Sequence, residues 1–149
     1  MSETGLEVFD ATIQKTNRWL KEIQEVLHLG SRREAYHALR SVLHQLRDRM
    51  TVEEIAQFSA QLPLLVRGIF FEGWDPTGKP ERIRHIEAFL EPIEKEFHQL
   101  GLTVSPRQVA QGVFRVLNHH VSAGEIEDVR ALLPQELRSL WPEPTAAEA

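Results

Sequence analysis

Apolar positions along this chain recur at three- and four-residue spacing, the pattern of amphipathic helices. Ile13, Thr16, Leu20, Ile23 and Leu27 mark one face of a helix over roughly residues 10–28, with Gly30 placed to end it in the left-handed region. A second helix opens at Ser31, whose hydroxyl can take an orphan backbone N–H while Glu34 reaches back. Its stripe is Ala35, Leu39, Val42, Leu43 and Leu46. Thr51 and Glu54 form the same capping box for a third helix through Ile55 and Phe58. Pro63 suits the first position of a fourth, carrying Leu65, Val66, Ile69 and Phe70. Alternating apolar and polar runs joined by hairpin turns are absent, so the class expected is all-α.

The pattern then repeats. A shift of 71 residues sets Val42, Leu46, Glu54, Ile55, Ala60, Leu62, Pro63 and Arg67 on identical residues at Val113, Leu117, Glu125, Ile126, Ala131, Leu133, Pro134 and Arg138. With one residue of slip, Trp19, Leu20, Ile23, Leu27 and His28 meet Phe89, Leu90, Ile93, Phe97 and His98. The expected organisation is therefore a tandem duplication of a four-helix unit, residues 9–71 and 82–141, packed with pseudo-twofold symmetry. Ser105 with Gln108, and Ser122 with Glu125, cap the second and third helices of the second unit. Ser105 lies about one turn later than Ser31 does in its unit, which predicts a shorter helix. Pro92 falls where Glu22 lies mid-helix and predicts a kink or break, with one backbone bond lost.

Residues 72–81 form a linker stiffened by Pro76 and Pro80, in which Asp75-Pro76-Thr77-Gly78 reads as a turn and Trp74 is expected to pack across the seam between the units. Residues 142–149 are small and proline-bearing, a tail expected to be disordered.

Composition removes several kinds of chemistry. The chain has no cysteine, which excludes disulfides, thiolate catalysis and cysteine-held metals and suits a cytoplasmic location. The longest apolar stretch, Leu62 to Phe71, is interrupted by Pro63, Arg67 and Gly68, far short of the roughly 18 uninterrupted residues of a membrane span. Met1 to Asp10 lacks a basic leader and an apolar core. The net charge of -5 is spread over both halves, so nucleic acid is not an expected partner despite Arg32, Arg33, Arg40, Arg47 and Arg49. Thirteen of the 17 basic residues are arginine, a bias expected of a GC-rich bacterial genome.

The string Leu62-Pro63-Leu64-Leu65-Val66-Arg67-Gly68-Ile69-Phe70-Phe71-Glu72-Gly73-Trp74-Asp75-Pro76, followed by Gly78-Lys79-Pro80, resembles a segment of the bacterial family known as domain of unknown function 2267. The runs Ala38 to Arg49 and Ile126 to Pro142 are similar to its flanking parts, so the resemblance spans about residues 9–142. Phe70 and Phe71 stand where the family pattern has two tyrosines, which removes hydroxyls from that position. The resemblance implies a small helical protein and no particular substrate.

Candidate chemistry is sparse. His37, Arg40, His44 and Arg47 fall opposite the apolar stripe of their helix and read as a solvated basic face. His119 and His120 are adjacent, hence about 100° apart on a helix, and read as dipole partners rather than a chelating pair. No metal or cofactor is expected, and no catalytic motif of phosphate-loop, nucleophile-elbow or zinc-protease type is present. Arg67 and Arg138, duplicated together with Glu54 and Glu125, read as a structural ion pair within each unit or as separate cap and surface residues. Arg67, Phe70, Phe71, Glu72, Trp74, Lys79 and Trp141 are the candidate binding residues, because arginine and aromatics concentrate at interaction hot spots. The expected function is a non-enzymatic protein-interaction or self-association module, with a second copy in a homodimer or another protein as its partner. The alternative is a small-molecule or anion-binding protein that uses a cleft near Arg67, Trp74, Lys79 and Arg82.

Overall fold

The computed structural model describes residues 2–82 and 85–143. Among them run eight helices and no strand: α1 (Glu7–Leu27), α2 (Arg32–Arg47), α3 (Val52–Ser59), α4 (Leu64–Phe71), α5 (Ile86–Gln99), α6 (Pro106–His120), α7 (Ala123–Ala131) and α8 (Gln135–Arg138). The chain is all-α, and each predicted helix is present. The predicted disorder of the tail concerns residues that, from 144 onward, lie outside the described ones.

Helix starts follow the hydroxyl residues. Ser31, Thr51, Ser105 and Ser122 each accept the backbone N–H three residues on, at 3.2–3.3 Å, a bond of about 1 kcal/mol at a helix N-terminus. The return half of the box differs from the expectation. Glu34 accepts the Ser31 hydroxyl proton, and the Ser122 N–H donates to Gln61 Oε1 at 2.8 Å. Pro63 and Pro134 lie one position outside their helices, as caps whose carbonyls accept from Arg67 and Arg138 at 2.8 and 2.9 Å. Proline fits there because a cap needs no N–H inside the helix.

The ends correct two expectations. His28, with φ 55°, is the left-handed residue that closes α1, and Gly30 is not. The Leu29 N–H reaches Gln24 O at 2.9 Å, completing the wrap before the glycine is reached. In α5 the glycine does take that role: Gly101 has φ 77°, its N–H donates to His98 O, and Leu102 donates to Phe97 O. Helix α6 starts late but runs on to His120, so its 15 residues nearly equal the 16 of α2.

Pro92 neither ends nor divides α5. The carbonyl it leaves without an i+4 donor is that of Ala88, and Arg49 Nη2 donates to it at 3.2 Å. The same guanidinium lies 5.7 Å from the Phe89 ring centroid. A cation from α2's end thus supplies the bond that the proline removes.

Helices α2 and α6 pack against each other at the centre. Each is also covered by both α1 and α5, while α3 meets α7 and α4 lies on α2 and α1. The fully buried large residues, Phe58, Phe70, Phe89, Phe97, Phe114, Ile23 and Leu39 among them, belong to one continuous core. Close approach of α1 and α6 depends on Gly112, where an added Cβ would lie 2.5 Å from Leu27 Cδ2 and 2.7 Å from its Cγ. Among the described residues no helix is long and apolar enough to cross a membrane.

Candidate functional site

The residues singled out around α4 and the linker are dispersed into structural roles. Phe70 is wholly buried, and Trp141, 2% exposed, stacks on Phe114 at 4.0 Å with its indole N–H donated to Asn118 Oδ1. Phe71 and Trp74 are half-buried and meet edge to face at 5.8 Å at the end of α4. Trp74 therefore packs onto its own helix end, and its buried Nε1 has no hydrogen-bond partner among the described residues. Lys79 pairs with Glu81 at 2.8 Å. Arg82 lines a groove with Arg49, Pro80 and Leu132 to Pro134, to which Arg67, Trp74 and Lys79 do not contribute.

Arg67 makes no pair with Glu54. Its Nε donates to Ser59 O at 2.9 Å and its Nη2 to Leu62 O at 3.1 Å. Arg138 makes the corresponding bonds to Arg130 O and Leu133 O, at 3.1 and 2.9 Å. Both arginines cap the carbonyl end of the preceding helix, where the partial negative charge favours a cation. Glu54 and Glu125 come near each other across the α3–α7 contact. Burial, then Asp128 and Glu54, push the Glu125 carboxyl above its ordinary value.

The polar stripe of α2 is not solvated. It faces α5 and the end of α4, and its side chains bind both. His37 Nδ1 is 2.8 Å from Glu96 Oε2, and Arg40 bridges Glu96 and Glu72 at 2.9 Å each. This arginine holds the Glu72 carboxyl below its usual range. His44 Nε2 lies 2.7 Å from Ile69 O. Burial pushes its imidazole below the ordinary value, so the neutral ring donates Nε2–H to that carbonyl. Arg47, 5% exposed, donates Nη1 to Phe70 O and Glu72 O and Nε to Asp48, all at 2.9 Å. Orphan carbonyls at the end of α4 are thus satisfied by α2. Asn118, 71 positions after Arg47 and equally buried, donates to Pro142 O at 2.8 Å.

Two groupings that the sequence reading did not bring together remain on the surface. The first is a polar cluster where α1 meets the end of α6. Both His119 Nδ1 and His120 Nε2 contact Glu22 Oε2, at 3.1 and 2.9 Å. The adjacent histidines do converge, because the carboxylate stands between their two directions. His120 stacks on Trp19 at 4.8 Å with 18° between the rings. Beside it runs a groove of about 390 Å³ lined by Lys15, Arg18, Trp19, Gln61, Pro63 and His120.

The second is apolar. The Leu65 N–H donates to Thr12 Oγ1 at 2.9 Å, so the start of α4 lies against the second turn of α1. Val8 and Phe9, four and three residues before Thr12, share its side of the helix. Phe9 is 47% exposed and Leu65 43%; Val8 and Leu64 are more open still. Exposed large apolar side chains therefore stand on both helices beside this contact. Helix α5 begins at Ile86, the counterpart of Thr16, whereas α1 begins at Glu7.

A family model described as "Uncharacterized conserved protein (DUF2267)" matches residues 16–140. No curated protein matches the chain.

Proposed function

The chain belongs to the DUF2267 family of uncharacterized conserved proteins, and we propose that it acts by association, as a protein-interaction or self-association module, rather than by turnover. One observation carries this reading: Val8, Phe9, Leu64 and Leu65 are each about half exposed, on the two helices joined by the Leu65–Thr12 bond. Contiguous exposed apolar side chains on a water-soluble fold mark surfaces that another molecule covers. Covering four such half-open side chains gains about 1 kcal/mol each, enough to contribute substantially to a dimer. The aromatic group expected to form the surface, Phe70, Phe71, Trp74 and Trp141, is replaced in this role by the α1–α4 face.

The test is sedimentation of the wild-type chain and a Phe9→Asp variant over a wide concentration range, beside pull-downs from native lysate. Self-association or capture that Phe9→Asp abolishes, with the melting temperature kept, is the expected result. A wild-type chain that stays monomeric and captures nothing that the variant fails to capture overturns the proposal.

The groove beside Trp19 favours a second reading, as an anion or small-molecule site, since it combines Lys15, Arg18 and an indole at the junction of α1, α6 and the α3–α4 corner. Little of Trp19 is open, which leaves the groove a thin aromatic wall. Isothermal titration with inorganic phosphate on wild type and Arg18→Ala separates the two readings. We also propose that the halves are duplicated units related by a pseudo-twofold axis. The reciprocal contacts of α1 with α6 and α5 with α2, the like-with-like contacts of α2 with α6 and α3 with α7, and the matching bonds of Arg67 and Arg138 support it.

A further inference from the structure

Glu22 on α1 and His119 and His120 at the end of α6 offer one carboxylate oxygen and two imidazole nitrogens, all within 4.8 Å of one another. We propose that these three residues form a binding site for a borderline divalent transition ion of the zinc class, with one coordination position left to solvent. The proposal is independent of the apolar face formed by α1 and α4.

The donor set is the first argument. Two imidazoles and one carboxylate are the ligands that zinc and its neighbours take in open, three-protein-ligand sites. Calcium and magnesium favour oxygen-rich sets, which a single carboxylate does not provide.

Geometry is the second argument. Ligands at about 2.0–2.2 Å from a tetrahedral ion lie roughly 3.3–3.6 Å from each other. Glu22 Oε2 is already 3.1 Å from His119 Nδ1 and 2.9 Å from His120 Nε2. The ion needs each imidazole nitrogen to move a few tenths of an ångström away from the carboxylate, and the two imidazole nitrogens, within 4.8 Å of each other, to settle at the same spacing. The ion takes the place of the ring N–H groups that otherwise bridge to the carboxylate, and each neutral imidazole then carries its proton on its other nitrogen.

Pre-organisation is the third. Trp19 is buried and lies one turn before Glu22 on α1, and its indole stacks on the His120 ring. One helix therefore orients both the carboxylate and the second imidazole. The His120 and Glu22 side chains are 18% and 23% exposed, whereas that of His119 is 57% exposed, so the site opens to water on the His119 side. A bound ion would tie α1 to α6, the two helices whose approach depends on Gly112.

The test is calorimetric titration of chelator-treated full-length protein with zinc chloride, together with melting curves with and without zinc. Wild type is expected to bind one ion per chain and to melt higher when loaded, because an ion that binds only the folded state stabilises it. Glu22→Gln and His119→Ala are each expected to lose tenfold or more in affinity and to lose the zinc-dependent shift. His98→Ala, at an exposed histidine outside the cluster, is expected to keep both. Absence of one-to-one binding overturns the proposal, and so does binding that Glu22→Gln and His119→Ala retain. Circular dichroism of the metal-free variants checks that each is folded, and His119, on the surface, gives a substitution that spares the core.

Discussion

Arg47 lends itself to a quantitative test of how the polar stripe of α2 supports the fold. Truncation to alanine removes three bonds, two from Nη1 to the Phe70 and Glu72 carbonyls and one from Nε to Asp48. Hydrogen bonds involving a charged group contribute about 1.5–3 kcal/mol each, and removing one partner from a buried ion pair costs about 3–5 kcal/mol. Water offsets part of this. The Asp48 side chain is 18% exposed and can be rehydrated, as can the Glu72 carbonyl beside the open linker. The Phe70 carbonyl is deeper and is left without its donor. A net loss of about 2–4 kcal/mol follows, and for a chain of this length it lowers the melting temperature by roughly 5–15 °C. Urea unfolding followed by far-ultraviolet circular dichroism measures it, with an unchanged m-value showing that the two-state comparison holds. Arg40→Ala is the control, because its ion pairs are more open to water and contribute at most about 1 kcal/mol. Arg47→Lys, with one ammonium in place of a fork, should fall between. An Arg47→Ala loss no greater than that of Arg40→Ala would refute the reasoning.

Two further predictions concern compensation and charge. Arg49→Ala should cost about 1 kcal/mol more in the wild-type background than in Pro92→Ala, where the Ala88 carbonyl regains a helical partner; a double-mutant cycle with no coupling contradicts that role. Glu125→Gln should stabilise the fold at pH 7, by under about 1 kcal/mol because the group is only partly buried and water screens the rest. The folded carboxyl titrates above its ordinary 4.5, so its ionisation opposes folding once pH exceeds that value. The advantage of glutamine should therefore vanish as pH falls below about 4.5, and melting curves from pH 4 to 8 showing a pH-independent difference would count against it.

The buried stripes were legible because apolar spacing reports directly which side of a helix faces a core. Trp19, Leu20 and Ile23 on α1, and Phe89, Leu90, Ile93 and Phe97 on α5, lie where the periodicity places them. The same reasoning failed on α2. His37, Arg40, His44 and Arg47 look solvated beside Leu39, Val42 and Leu46, yet a central helix is covered on more than one side. A signal was available in Ala35, Ala38 and Ser41, small buried residues that widen the packed face beyond a single stripe. Glu22, His119 and His120 are separated by nearly a hundred residues, and nothing local in either segment announces their meeting. The arginine duplication was readable, but its partner was not, since the receiving groups are backbone carbonyls, which every residue possesses. Of the aromatics near the linker, Phe70 and Trp141 entered the core, and Phe71 and Trp74 pack half-buried against it.

The reciprocal packing bears on how the chain can be synthesised. The inner face of α2 is covered by α5 and α6, and α6 also completes the cover of α1. A nascent chain ending after Phe71 has therefore made four helices while lacking the surfaces that bury their apolar stripes. The core closes only after residues through His120 have left the ribosome, so much of translation proceeds with Leu39, Val42 and Leu46 short of their final partners. Such a product depends on rapid closure, or on a chaperone that shields those side chains during synthesis.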